Sequence, residues 1–172
     1  MKTPVLFSIF ALLLVACTSM KNAPATRTAS SADLYDQIVA QPIAYDSVFA
    51  AKLGADQYGM KPYVMAFLKR GPNRSQDSVT AAALQKAHMD NIVRMAKEGK
   101  LVMAGPFMDD GDVRGIYVFD VRTVEEARQL TATDPAIQAG RLSMDLHPWY
   151  GPAVLPLVTP LFKRLEKKSV AD

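Results

Sequence analysis

Residues 101–121 read LVMAGPFMDDGDVRGIYVFDV, two apolar runs on either side of Asp110-Gly111. An Asp-Gly pair between β-branched and aromatic runs is the signature of a hairpin turn, so strands are expected over 101–107 and 113–121. Pro106 interrupts the first run, because proline has no N–H for a ladder. In the second run Tyr117, Phe119 and Val121 fall on one face, and Ile116 and Val118 on the other. A half-exposed sheet is apolar on alternate positions only, so this sheet needs cover on both sides.

The surrounding signals complete the pattern. Upstream, Asp77 or Ser78 can cap a long helix running to about Glu98, with Gly99 as the residue that ends it. Before that helix, Tyr63–Leu68 is a continuous apolar run that stops at Arg70-Gly71-Pro72-Asn73, a strand entering a loop. Downstream, Thr123 and Glu126 form a capping box for a helix to about Thr131. Asp134-Pro135 restarts a short turn, with Asp as cap and Pro at the first helical position, and Gly140 closes it. Leu142–Trp149 alternates as a last strand. The order β-α-β-β-α-β is the split βαβ, ferredoxin-like α+β arrangement, with two helices on one face of an antiparallel sheet. The other face has two candidate covers: the sheet of a partner subunit in a homodimer, or the chain's own tail from Ala153 to Phe162. Prolines at 152, 156 and 160 suit an extended segment there better than a helix.

The N-terminus is read as an address. Lys2 precedes an apolar run, Val5–Ala16, of about 12 residues, too short to span a ~30 Å hydrocarbon core but suited to a signal peptide. Leu14-Val15-Ala16-Cys17 closely resembles a bacterial lipobox, which makes Cys17 the lipidated (palmitate-bearing) residue and leaves the mature chain without a free thiol. Several acyl chains anchor stably where one binds only marginally. Thr18 is not the Asp of inner-membrane retention, so the expected location is the bacterial outer membrane, facing the periplasm. The chain then divides into a signal peptide (1–17), a flexible tether (18–32), a short helical extension (33–60) in which Ser47–Leu53 closes on Gly54, a main domain (61–155) and a tail (156–172).

Composition narrows the function classes. The chain has 172 residues, of which 49% are hydrophobic and 22% charged, as in an ordinary folding chain of one domain with appendages. The 20 Lys and Arg are dispersed among 17 Asp and Glu, so there is no basic footprint for nucleic acid. One cysteine excludes a disulfide framework, and two histidines make a protein-only catalytic zinc site depend on carboxylates. There is no dinucleotide fingerprint, phosphate loop or metal-ligand spacing, so no cofactor is implied. Asp109, Asp110 and Asp112 lack the closing Glu of a calcium loop and read as a solvated hairpin. His147, beside Pro148 at a strand end, reads as structural.

Two residues stand out chemically. Leu84, His88 and Ile92 are spaced by four, which puts His88 on the apolar stripe of its helix. A buried imidazole needs a partner at each nitrogen, and a satisfied core histidine is the plain reading. Asp134 has its own plain reading as an N-cap, yet a capped aspartate could also orient His88 and raise its basicity. Gly105-Pro106 either opens room beside the helix or marks an ordinary edge bulge.

At this point Lys61–Leu155 resembles a YCII-related domain. The matching features are His88 in the first helix, the run Lys100-Leu101-Val102-Met103-Ala104-Gly105-Pro106-Phe107, and Asp134-Pro135-Ala136 followed by Ala139-Gly140. The resemblance implies a ferredoxin-like, dimeric α/β-barrel fold and a functional pairing of His88 with Asp134. Some relatives are dehydrochlorinases acting on chlorinated hydroxyquinols. The leader and N-terminal extension set this chain apart from the small soluble relatives. Two functions follow. One is cofactor-free, lyase-like acid–base catalysis on a small aromatic or hydroxylated molecule. The other is a non-catalytic module that binds a small ligand at the membrane surface.

Overall fold

A computed structural model describes residues 44–170 together with residue 40. Cys17, the tether and most of the first part of the expected helical extension (residues 33–39 and 41–43) lie outside the described residues. In the unit Tyr45–Asp172 the elements are α1 (Ser47–Leu53), β1 (Met60–Arg70), α2 (Ser78–Lys97), β2 (Leu101–Pro106), β3 (Val113–Phe119), α3 (Val124–Thr131), α4 (Pro135–Gln138), β4 (Leu142–Pro152), a 3-10 turn (Leu155–Leu157) and α5 (Val158–Phe162).

Local chemistry sets most of these boundaries. The Asp77 carboxylate accepts the Thr80 N–H at 2.9 Å and starts α2. Gly99, at φ 69°, ends it in the left-handed region that a side chain would strain. Thr123 Oγ1 accepts the Glu126 N–H at 3.1 Å. The returning bond of the capping box runs one residue further out, from the Arg122 N–H to Glu126 Oε2 at 2.9 Å. β3 stops at Phe119, two residues earlier than its apolar pattern. Asp120 turns its N–H to the Lys100 carbonyl and its carboxylate to Lys61 Nζ at 2.8 Å.

The four strands are antiparallel in the order β2-β3-β1-β4. With the helices packed on one face, this is the expected ferredoxin-like α+β fold. Val64, Ala66 and Leu68 of β1 and Tyr117 and Phe119 of β3 pack with Met95 of α2 and Ala127 of α3 in the main core. The opposite face holds a smaller cluster of Tyr63, Val102 and Val118, closed by Trp149 and by Leu155 of the tail.

The tail departs from its expected extended form. It folds into the 3-10 turn and α5, because Pro156 and Pro160 occupy first-turn positions whose N–H groups have no intrahelical partner anyway. Thr159 Oγ1 donates to the Val102 carbonyl at 3.3 Å and holds α5 against β2. Self-cover is therefore real but partial. Met65, Phe67 and Ile116, further along the same face, stay half-buried, and the Phe67 ring packs in a T-shaped arrangement with His147, centroids 5.7 Å apart.

Candidate functional site

The inner stripe of α2 carries His88, Asn91 and Met95. His88 is 6% exposed and Asp134 is fully buried. The Asp-Pro restart puts Asp134 at the N-cap of α4, where Oδ1 accepts the Ala136 N–H at 2.8 Å. Its other oxygen, Oδ2, lies 2.6 Å from His88 Nδ1. The two plain readings thus coexist with the pairing: one carboxylate oxygen caps the turn and the other holds the ring. With the carboxylate as acceptor, Nδ1 carries the imidazole proton and Nε2 keeps its lone pair.

A third residue completes the cluster. The Tyr117 hydroxyl lies 3.3 Å from His88 Nε2, and the two rings are near parallel, with centroids 6.3 Å apart. Burial, and then the Asp134 charge, push the phenol far above its ordinary pKa, so it stays a neutral donor. On sequence alone Tyr117 falls on a strand face and nothing ties it to His88. The available signal was its hydroxyl: a tyrosine among Val, Ile and Phe on a buried strand needs a polar partner.

Behind the cluster, Arg94 donates to Asn91 Oδ1 at 2.9 Å and to Thr133 Oγ1 at 2.8 Å. Thr133 precedes Asp134, so this clasp ties the start of the α4 turn to α2. Asn91 Nδ2 is buried without a hydrogen-bond partner.

Gly105-Pro106, His147 and the aspartates of the hairpin lie outside this cluster. β2 ends at Pro106, but its irregularity falls between Leu101 and Met103 rather than at Gly105. Ala104, paired with Tyr117, and Pro106 are exposed on this edge strand, leaving small groups beside the cluster. His147 is exposed on β4, away from His88. Asp110 is exposed and faces Arg70 and Arg114 at 3.8 and 3.6 Å, as a solvated hairpin would. A groove of about 380 Å³ beside β4 is lined by Ile137, Leu142, Met144 and Leu146 and does not include His88.

The sequence profile of the YCII-related domain matches residues 63–149, a segment that contains both His88 and Asp134. The solved 5-chloro-2-hydroxyhydroquinone dehydrochlorinase of Burkholderia phenoliruptrix, in complex with 2,5-dihydroxybenzoquinone, is 18% identical, with a TM-score of 0.38 over 52% of this chain and 93% of its own. No curated protein matches the chain.

Proposed function

Because the chain belongs to the YCII-related domain family, and its matched segment buries a His–Asp pair, we propose that His88, Asp134 and Tyr117 form the acid–base centre of a cofactor-free, lyase-like reaction on a small aromatic or hydroxylated molecule. The observation that carries this reading is the 2.6 Å contact between His88 Nδ1 and Asp134 Oδ2. Such a contact fixes the tautomer, leaves Nε2 as the basic atom and steadies the imidazolium once a proton arrives. The substrate's acidic C–H or O–H gives its proton to Nε2, displacing the longer Tyr117 contact. The pair of electrons left behind expels a leaving group or stays on oxygen.

The second reading, a module that binds a small ligand without turnover, is favoured by one observation. Both imidazole nitrogens already have protein partners. A screen of small phenols, quinols and their halogenated forms separates the two. Loss of a general base costs ~100- to 10,000-fold in rate. His88→Ala should lower turnover by that amount, with folding intact. Turnover within threefold of wild type, or binding without any turnover, assigns the site to the binding module.

We further propose that Cys17 is acylated and that the protein faces the periplasm from the outer membrane. The support is the Leu14–Cys17 lipobox behind a short apolar run. Cys17→Ser should leave the precursor unprocessed or free it from membranes. An unlabelled wild type that fractionates like the variant would end the idea.

A further inference from the structure

Along the winding that begins with α5, Val158, Leu161, Phe162 and Leu165 are spaced i, i+3, i+4 and i+7, one face of a helix. The N–H groups of Lys163 to Glu166 bond back to Thr159, Leu161 and Phe162, so the winding continues to Glu166. These four apolar side chains are between 39% and 82% exposed. A contiguous stripe of this kind is unlike the scattered apolar residues of an ordinary surface. The same segment carries Lys163, Arg164, Lys167 and Lys168 against the single carboxylate Glu166. Only Lys163 is ion-paired, to Glu166. Arg164, Lys167 and Lys168 are exposed and form no ion pair among the described residues. Thr159, between the apolar positions, is tied to the Val102 carbonyl of β2, so the segment is anchored to the domain by a side other than its apolar stripe.

We propose that residues 158–168 are a membrane-surface element that lays its apolar stripe into the interface of an anionic bilayer. Charge and shape together select the occupant. A second copy of the chain would bring the same positive charge against this one, whereas anionic headgroups neutralise it. Long Lys and Arg side chains keep their heads at the phosphates while the stripe sits below them. This contact is independent of acylation at Cys17 and of any chemistry at His88.

The test compares the full-length chain on vesicles of phosphatidylcholine alone and of phosphatidylcholine with phosphatidylglycerol, read by hydrogen exchange of the amides of residues 158–170. An N-terminal anchor would act on both vesicles, so only the difference counts. Three unpaired cations, at about fivefold each, favour the docked state by on the order of 100-fold. Exchange on the anionic vesicles should therefore slow by at least about tenfold, and the slowing should fade at 1 M salt, where the Debye length is about 3 Å. Replacing Lys163, Arg164, Lys167 and Lys168 by Gln should abolish it, with Trp149 emission unchanged as the folding control. Equal exchange on the two vesicles overturns the proposal whether or not the variant folds. So does protection that survives the four substitutions. Protection that appears without lipid as protein concentration rises assigns the stripe to self-association, and also overturns it.

Discussion

A phenol buried beside a carboxylate–imidazole pair leaves a signature in the pH dependence of stability. Burial and then the Asp134 charge raise the Tyr117 pKa, while burial and then the Asp120 charge push Tyr63 up to about 12. In the unfolded chain both titrate near ~10. Below that pH both phenols are neutral in either state and their contribution is complete. Above it the unfolded chain loses protons that the fold retains, so stability falls as pH climbs from 10 through 12. The Tyr117→Phe variant removes one such proton. Between pH 10 and 12 its stability in urea should fall less steeply than that of wild type, by about 1.4 kcal/mol per pH unit. Parallel slopes would mean that the Tyr117 hydroxyl is not held in the folded cluster.

At the scale of elements, the site depends on how β1 is joined to the α4–β4 connection. Gly71 N–H donates to the Arg141 carbonyl at 3.0 Å and Asn73 N–H to the Gly140 carbonyl at 2.9 Å. A Cβ at Gly71 would stand 2.2 Å from the Gly140 oxygen and 2.7 Å from the Arg141 carbonyl carbon. Both are backbone atoms, so relief requires the strand end and the connection to part. Gly71→Ala should cost about 1–3 kcal/mol in urea unfolding, as overpacking does. It should also disturb His88 in NMR spectra, because the same connection carries α4 and its cap, Asp134. Gly99 is the contrast: a Cβ there meets nothing within 4 Å. Gly99→Ala should therefore cost about 1–2 kcal/mol of left-handed strain and leave the His88 signals in place. Equal effects from the two variants would refute the steric account.

For the whole molecule, the sheet face away from the helices is only partly covered. The tail covers the end around Tyr63, Val102 and Val118. Met65, Phe67 and Ile116 are left half-buried in a face where side chains of this size ordinarily gain about 1.5–3 kcal/mol from full burial. We propose that a second copy supplies the remaining cover, sheet to sheet. Light scattering of residues 45–172 should report twice the monomer mass. Phe67→Glu, which puts a charge into that contact, should give a folded monomer. A monomeric wild type, or a variant that stays dimeric, would leave the tail as the sole cover or move the interface elsewhere.

Much of the architecture was legible because its determinants are local. The Asp110-Gly111 turn, the Asp77 and Thr123 caps, the Gly99 stop and the Asp134-Pro135 restart each act within a few residues, so the element order could be read off directly. The α2 stripe likewise put His88 inside, and the restart put Asp134 at a turn. What local chemistry cannot express is distance between segments. His88 and Asp134 are 46 positions apart in the chain, and the packing of α2 and α4 on the same sheet closes them to hydrogen-bond range. Tyr117 joined them only through the register that sets it opposite Ala66 and Ala104. The form of the tail is non-local for the same reason. Its prolines limit which turns can form, but the contacts of Leu155 and Thr159 with β2 and the sheet face select the helical ones. Sequence thus determined the elements and the kinds of residue at the site. Tertiary structure decided which of those residues meet, because hydrogen bonding and burial between distant segments depend on packing that no short stretch contains.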